Sequence, residues 1–340
     1  VAYRDDGNSL FGTAIVGATD GATTISSYGS EVVYNNTGDT RVNPIDALDA
    51  SHVVICYKDQ DDGSDGTCII GTISSGTTIA FGSEVDFAPN GSTSPDVTAL
   101  DASNFVVCHR NQSTQDGECI VGQVSGGNMI SFGGSLTEFS SNNNILLPGV
   151  DALDATHFVV SYVDEDNSNN GTAVVGEVSG TTITYGSVSV FNAATTSNPD
   201  VVAMSSTQFV ISYEDESNHG YAIIGDVSGT TISGFGNETV YNAATTQLIS
   251  SIDKMSATNF VIAYEDEGNS EHGTGIMGTT LDNALDFDGN NDYVTVPDDN
   301  ALDFASTDGF TLECWVYYDG ISSDAGTNSK LFIKRDGSGV

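Results

Sequence analysis

The sequence predicts an all-β protein, and more narrowly a β-propeller whose four-stranded blades recur about every 50 residues. Three observations carry that prediction. An apolar run that closes on an anchor residue and an acid or amide returns at Tyr3, Tyr57, His109, Tyr162, Tyr213 and Tyr264, 51 to 54 residues apart. Between anchors, Val, Ile, Thr, Phe and Tyr fill short segments while Gly, Asn, Asp and Ser fill the joints, as strands and turns require. No sustained helical period interrupts them.

The fourth copy shows each element in turn. Its strands read as 149–155 (GVDALDA), 158–163 (FVVSYV), 171–179 (GTAVVGEVS) and 181–192 (TTITYGSVSVFN). In the second strand Phe158, Val160 and Tyr162 face one side and Val159 and Ser161 the other, so both faces are apolar or small and need cover. A blade stacked between two others has that cover. A linear β-solenoid is the competing architecture, although its parallel coils usually have shorter periods. The third and fourth segments meet at a tight turn, Ser179-Gly180, matched by Asp20-Gly21, Ser75-Gly76 and Ser228-Gly229.

The copies also predict strand pairing. Just before each anchor and just after each acidic turn stand Ala2/Ala14, Cys56/Cys68, Cys108/Cys119, Ser161/Ala173, Ser212/Ala222 and Ala263/Gly275. Small residues match small ones, and cysteine occurs only where its counterpart is cysteine, as directly opposed antiparallel positions would have it. Two cross-strand disulfides are expected, Cys56–Cys68 and Cys108–Cys119; reduced, buried thiols are the alternative.

Near residue 280 the text changes. The sixth copy lacks a fourth segment and the first lacks its first, so six copies are visible with partial ends. A parent ring of six or seven blades is expected. Residues 1–282 read as propeller repeats and 283–340 as a second domain. Val1 opens the chain without Met or a leader, and both ends read as cuts.

The second text has its own likeness. Ala284-Leu285-Asp286-Phe287-Asp288-Gly289, Asn291-Asp292-Tyr293-Val294 and Phe310-Thr311-Leu312-Glu313-Cys314-Trp315-Val316 resemble the opening of laminin-G-like, concanavalin-A-like jelly-roll domains of extracellular proteins. The resemblance implies a truncated β-sandwich with Trp315 between its sheets, and it leaves the partner of Cys314 undefined. The phrases VAYRDDGNSLFGTAIVG and SGTTIAFGSEVDF more loosely resemble propeller repeats of marine bacterial surface proteins and phage tail-fibre-like proteins. That likeness implies an extracellular, cell-surface or virion location and a binding role, and it brings no catalytic residues with it.

Lys and Arg total 8 against 47 Asp and Glu, a formal charge of −39. A surface this acidic repels phosphate backbones and anionic head groups, which argues against nucleic acid and membrane surfaces as partners. It suits a salty medium, where screening over about 8 Å quenches self-repulsion. No apolar run approaches the roughly 20 residues that span a bilayer.

The acidic hairpins are the candidate metal sites. Asp164, Asp166 and Ser168, and likewise Asp59, Asp61 and Asp65, place oxygen ligands at alternating positions, the pattern a hard cation such as Ca2+ uses. The acid that normally closes such a loop at its ninth or twelfth position is missing: Thr172 and Val175 stand there in one copy, Thr67 and Ile70 in the other. A polar hairpin loop without an ion is the competing reading.

No catalytic constellation emerges. The acids recur in copies of one loop, whereas a catalytic site breaks a repeat. Arginines are only Arg4, Arg41, Arg110 and Arg335, too few for a sialidase-type cluster, and His52, His157, His219 and His272 follow the repeat. The chain therefore reads as an extracellular, non-catalytic recognition protein for carbohydrate or cell-surface protein ligands. The ring-face loops after each first strand and the acidic hairpins are its candidate contacts. A virion tail-fibre segment and the accessory modules of a polysaccharide-degrading enzyme are the alternatives.

Overall fold

A computed structural model describes residues 1–280 apart from 22–23, 90 and 141–143; the described part is one compact unit, Val1–Thr280. The jelly-roll reading of 283–340, with Cys314, lies outside the described residues. The unit is a β-propeller of six consecutive antiparallel sheets, one per sequence repeat.

In the fourth blade the inner strand is Ile145–Ala152, the second His157–Asp164 and the third Asn170–Ser179. The outer position corrects the sequence reading, because 181–192 is not one strand. Thr182–Tyr185 and Ser189–Thr195 pair with opposite halves of the same third strand. The break falls at Gly186, where an added Cβ would sit 1.9 Å from the Thr230 carbonyl of the next blade. Gly29 and Gly82 have the same relation to the carbonyls of Thr77 and Asn128. Only glycine lets the next blade's hairpin backbone come that close, so the outer strand is cut where its neighbour docks.

The inner strand begins earlier than expected, at Ile145, and carries a bulge soon after its start. Its register slips between Leu146 and Gly149, and Leu147 takes φ +48°; Ser94 and Asn198 repeat this at +49° and +47°. Each precedes a proline, Pro95, Pro148 or Pro199, and each bulge turns one residue out of the ladder at the hairpin end of the blade.

All six small-residue pairs are opposed in register, including Ser161 with Ala173 and Ser212 with Ala222. Cys56–Cys68 and Cys108–Cys119 are disulfides.

The core is divided among the interfaces. Five buried clusters lie between successive blades, and each draws residues from both sides. The anchor explains its own recurrence, since it packs on an aromatic ring from the outer strand of the preceding blade. The pairs are Tyr57 on Tyr34, His109 on Phe87, Tyr162 on Phe139, Tyr213 on Phe191 and Tyr264 on Tyr241, with centroids 5.1–5.3 Å apart. Such a pair adds about 0.5–1.5 kcal/mol beyond the area it buries.

Inner strands are sheet edges, and their outward N–H groups need acceptors. Aspartates of the preceding blade supply them. Asp46 accepts from Ala99, Asp96 from Val150, Asp151 from Ala203 and Asp200 from Ile252, at 2.7–3.0 Å, each through Oδ2. Each Oδ1 accepts from the amide of its own next residue. The acids alternate between two levels of the hub. Asp96 and Asp200 share one level with Gly149 between them, and Asp46 and Asp151 share the other with Thr98 between them. Staggering keeps acids of adjacent blades off the same level.

Candidate functional site

The hairpin acids divide by role. Asp59 is a turn cap: Oδ1 accepts from the amides of Asp61 and Asp62, and Oδ2 accepts from Asn35 Nδ2 at 2.7 Å. Asn111 and Asp215 cap their hairpins through the same local amide bonds. Asp61 and Asp166 each reach back to a loop 22 residues upstream, accepting from the Asp39 and Asn144 amides. Asp164 is buried at the head of a short 3-10 turn, its Oδ1 has no partner, and burial pushes its pKa up. Ser168 lies exposed in the left-handed region at φ +59°.

Asp65 has different company from that expected. Its carboxylate, with those of Asp62 and Asp86, offers ligand atoms within 4.8 Å of one another. Burial, then Asp86, Asp62 and Asp59, raise its pKa. Asp86 comes from the outer strand Val85–Ala88, so hairpin spacing could not reveal it. Calcium at the hairpins stays a proposal; among the described residues, the acids that come together are Asp62, Asp65 and Asp86.

The loops after the inner strands are closed by their own caps. Asp49 accepts from the amides of Ser51 and His52, and Asp154 from those of Thr156 and His157; the two imidazoles then pair with the same acids. These histidines hold loops.

At the opposite, hairpin end a cavity of about 340 Å3 opens among blades four, five and six. Leu146, bulged Leu147 and Val163 form its apolar side; Asn198 and Glu214 face it from blade five. Asn218 of the fifth hairpin borders it too, tied down where its carbonyl accepts from the Thr246 amide at 2.6 Å. Glu214 is only 3% exposed. Its Oε2 accepts from Asn198 Nδ2 at 3.2 Å, while Oε1 has no hydrogen-bond partner. Burial pushes its pKa up, partly offset by the Asn198 bond.

Motif reading passed over Glu214 because it sought acids in hairpins, yet a signal was present. The residue after the anchor is Arg4, Lys58, Arg110, Val163, Glu214 and Glu265 along the copies. The repeat holds neither size nor charge at this position, which runs from basic through apolar to acidic.

The hub acids are the other electrostatic feature. Burial raises Asp96 to about 8, with the Asp200 carboxylate adding to it. Burial raises Asp151 and Asp200 to about 6 and raises Asp46 as well. Asp46 feels Asp253 and Asp151 feels Asp46, so acids from blades two to six converge on one axis. All four are half-buried.

No protein-family model and no curated protein matches the chain. Among solved structures, the fucose-specific lectin from Aleuria aurantia aligns at 10% identity over 82% of this chain and 88% of that one, with a TM-score of 0.48. A triple mutant of AofleA from Arthrobotrys oligospora aligns at 9% identity over 76% and 74%, at 0.48. The GH43 endo-arabinanase from Bacillus licheniformis aligns at 10% identity over 70% and 92%, at 0.37. At these scores the fold assignment rests on the repeat and the sheet topology.

Proposed function

We propose that the protein is an extracellular, non-catalytic recognition module for carbohydrate, which it binds in the cavity between blades four, five and six. The observation that carries this reading is Glu214, a buried carboxylate whose Oε1 has no partner and which shares the cavity with the apolar surface of Leu146 and Leu147. A pyranose offers what that arrangement lacks: hydroxyls that donate to Oε1, and a C–H face that covers leucine. Asn198 and Asn218 add amide donors and acceptors at the rim.

Among the described residues that line the cavity, Glu214 is the one carboxylate, whereas glycosidic cleavage usually calls for a pair. Binding without hydrolysis fits that count. The two disulfides support an oxidising compartment outside the cytosol.

A glycan array followed by calorimetric titration tests the proposal. Glu214→Gln places an amide donor where acceptance is needed, and it is expected to weaken the best glycan about 10- to 100-fold. If no glycan binds, or if Glu214→Gln binds as the parent does, the reading fails.

A further inference from the structure

The hub holds carboxylates that the proposed binding function does not use and that the described basic residues do not neutralise. Those residues are Arg4, Arg41, Lys58, Arg110 and Lys254. The first four lie at or beside the position after the anchor, and Lys254 spends its ammonium on the Met204 carbonyl at 2.7 Å. Negative charge converging in a confined space needs a counter-charge.

One level of the hub is built to accept such a charge. Asp96 and Asp200 hold equivalent positions two blades apart, and Gly149 holds that position between them. Because Gly149 has no side chain, Asp200 and Ser161 close in on it: a Cβ there would crowd Asp200 Oδ1 at 3.2 Å and Ser161 Oγ at 3.3 Å, so these two oxygens approach one point. Ser161 is fully buried and its Oγ has no hydrogen-bond partner, although the group points at this same space. Ser251, at the same level in blade six, hydrogen-bonds Asp200 through its side chain. Both Oδ atoms of Asp96 and Asp200 already accept backbone N–H bonds, which fix the carboxylates in place; Asp96 keeps a second lone pair on each oxygen, and Asp200 on the oxygen that Ser251 does not use.

We infer that this level of the hub is a site for a hard cation, held between the carboxylates of Asp96 and Asp200 with the Ser161 hydroxyl as a further ligand, the absence of a side chain at Gly149 letting Ser161 and Asp200 converge. Oxygen-only ligation with two carboxylates suits calcium more than a soft metal. The ion cross-links blades three, four and five at the axis, so its effect is on the stability of the ring. The site lies apart from the sugar cavity.

The test uses chelator-treated protein carrying Asp65→Asn and Asp86→Asn, which removes the hairpin acid group. At pH 8, calcium at millimolar concentration is expected to raise the melting temperature by roughly 3–8 °C. The rise is expected to shrink at pH 5, where protons already neutralise the hub. Ser161→Ala, which copies Ala263 of the sixth blade and so preserves the packing, is expected to weaken calcium at least about fivefold by calorimetry, the loss of one ligand. Gly149→Ala, whose methyl would push Asp200 Oδ1 and Ser161 Oγ apart, is expected to abolish the shift. A melting temperature that calcium leaves unmoved at pH 8 overturns the proposal. So does a shift that persists unchanged in both variants, and Ser161→Ala alone decides the matter if Gly149→Ala does not fold.

Discussion

Blades two and three and blades four and five share one frame and fill it differently. At the opposed pair of the second and third strands, blades two and three carry disulfides, whereas blades four and five carry Ser161/Ala173 and Ser212/Ala222, with both serine hydroxyls buried and unpartnered. Two residues further along the second strand, Lys58 and Arg110 give way to Val163 and Glu214. The cavity beside Glu214 and the Gly149 position both lie in the blades without disulfides. Positions that keep the ring together repeat, and positions that differ between copies line the cavity and the hub level at Gly149.

The comparison can be broken most forcefully at the disulfides. Each closes a loop of 12 or 11 residues, worth about 3 kcal/mol of loop-closure entropy. Replacing Cys56 and Cys68 by Ser and Ala, the pair blade four uses, is expected to cost about that much in chemical denaturation. Ser161→Cys with Ala173→Cys is expected to return a similar amount in blade four, because the register is the same. A second pair that oxidises without stabilising would show that the two halves differ in backbone as well as in side chains.

Next in size is pH. Asp96, Asp151 and Asp200 titrate higher in the folded protein than the unfolded value near 3.8, so the folded state holds extra protons between these limits. Their contribution is fully present below about pH 4 and is lost as pH rises through 6 and then 8. In chelator, the melting temperature at pH 5 is expected to exceed that at pH 8.5, by an amount on the order of a few kcal/mol in stability. Asp49 acts the other way. The Ser51 amide, then His52, hold it at about 2, so its contribution is present above its unfolded value and is lost only as pH falls toward 2. Melting temperatures that climb steadily from pH 5 to 8.5 would contradict the hub assignment.

The smallest effect sharpens the anchor. His109 replaces tyrosine in blade three; it is fully buried, with Nε2 3.4 Å from Glu118 Oε2. His109→Tyr restores the ring that the other blades place on their neighbours, and a gain of up to about 1 kcal/mol is expected from denaturant midpoints. A loss would mean that the pocket beside Phe87 has shrunk to fit imidazole.

Much of the frame was legible because it is written repeatedly. The anchor spacing, the small-residue pairs and the cysteine match each describe contacts inside a single blade, and antiparallel neighbours report one another through matched size. Opposing Ser161 to Ala173 needed no coordinates. The outer strand was misread as one piece because the carbonyl of Thr230, from the following blade, imposes its break. A segment that looks continuous along the chain can be cut by something that arrives from the next blade.

The candidate sites divide the same way. Asp59, Asp61, Asp164 and Asp166 were visible as acids, but whether an acid caps a turn or faces another acid depends on which amides surround it, and those belong partly to loops 22 residues away. Asp86 reached Asp65, and Leu147 reached the vicinity of Glu214, only through folding. Local pairing and periodicity depend on neighbours along the chain and its hairpins, so residue order suffices to state them. The cavity, the hub and the alternating levels of aspartate depend on how one blade's edge meets the next, and that distance exists only once the blades have stacked.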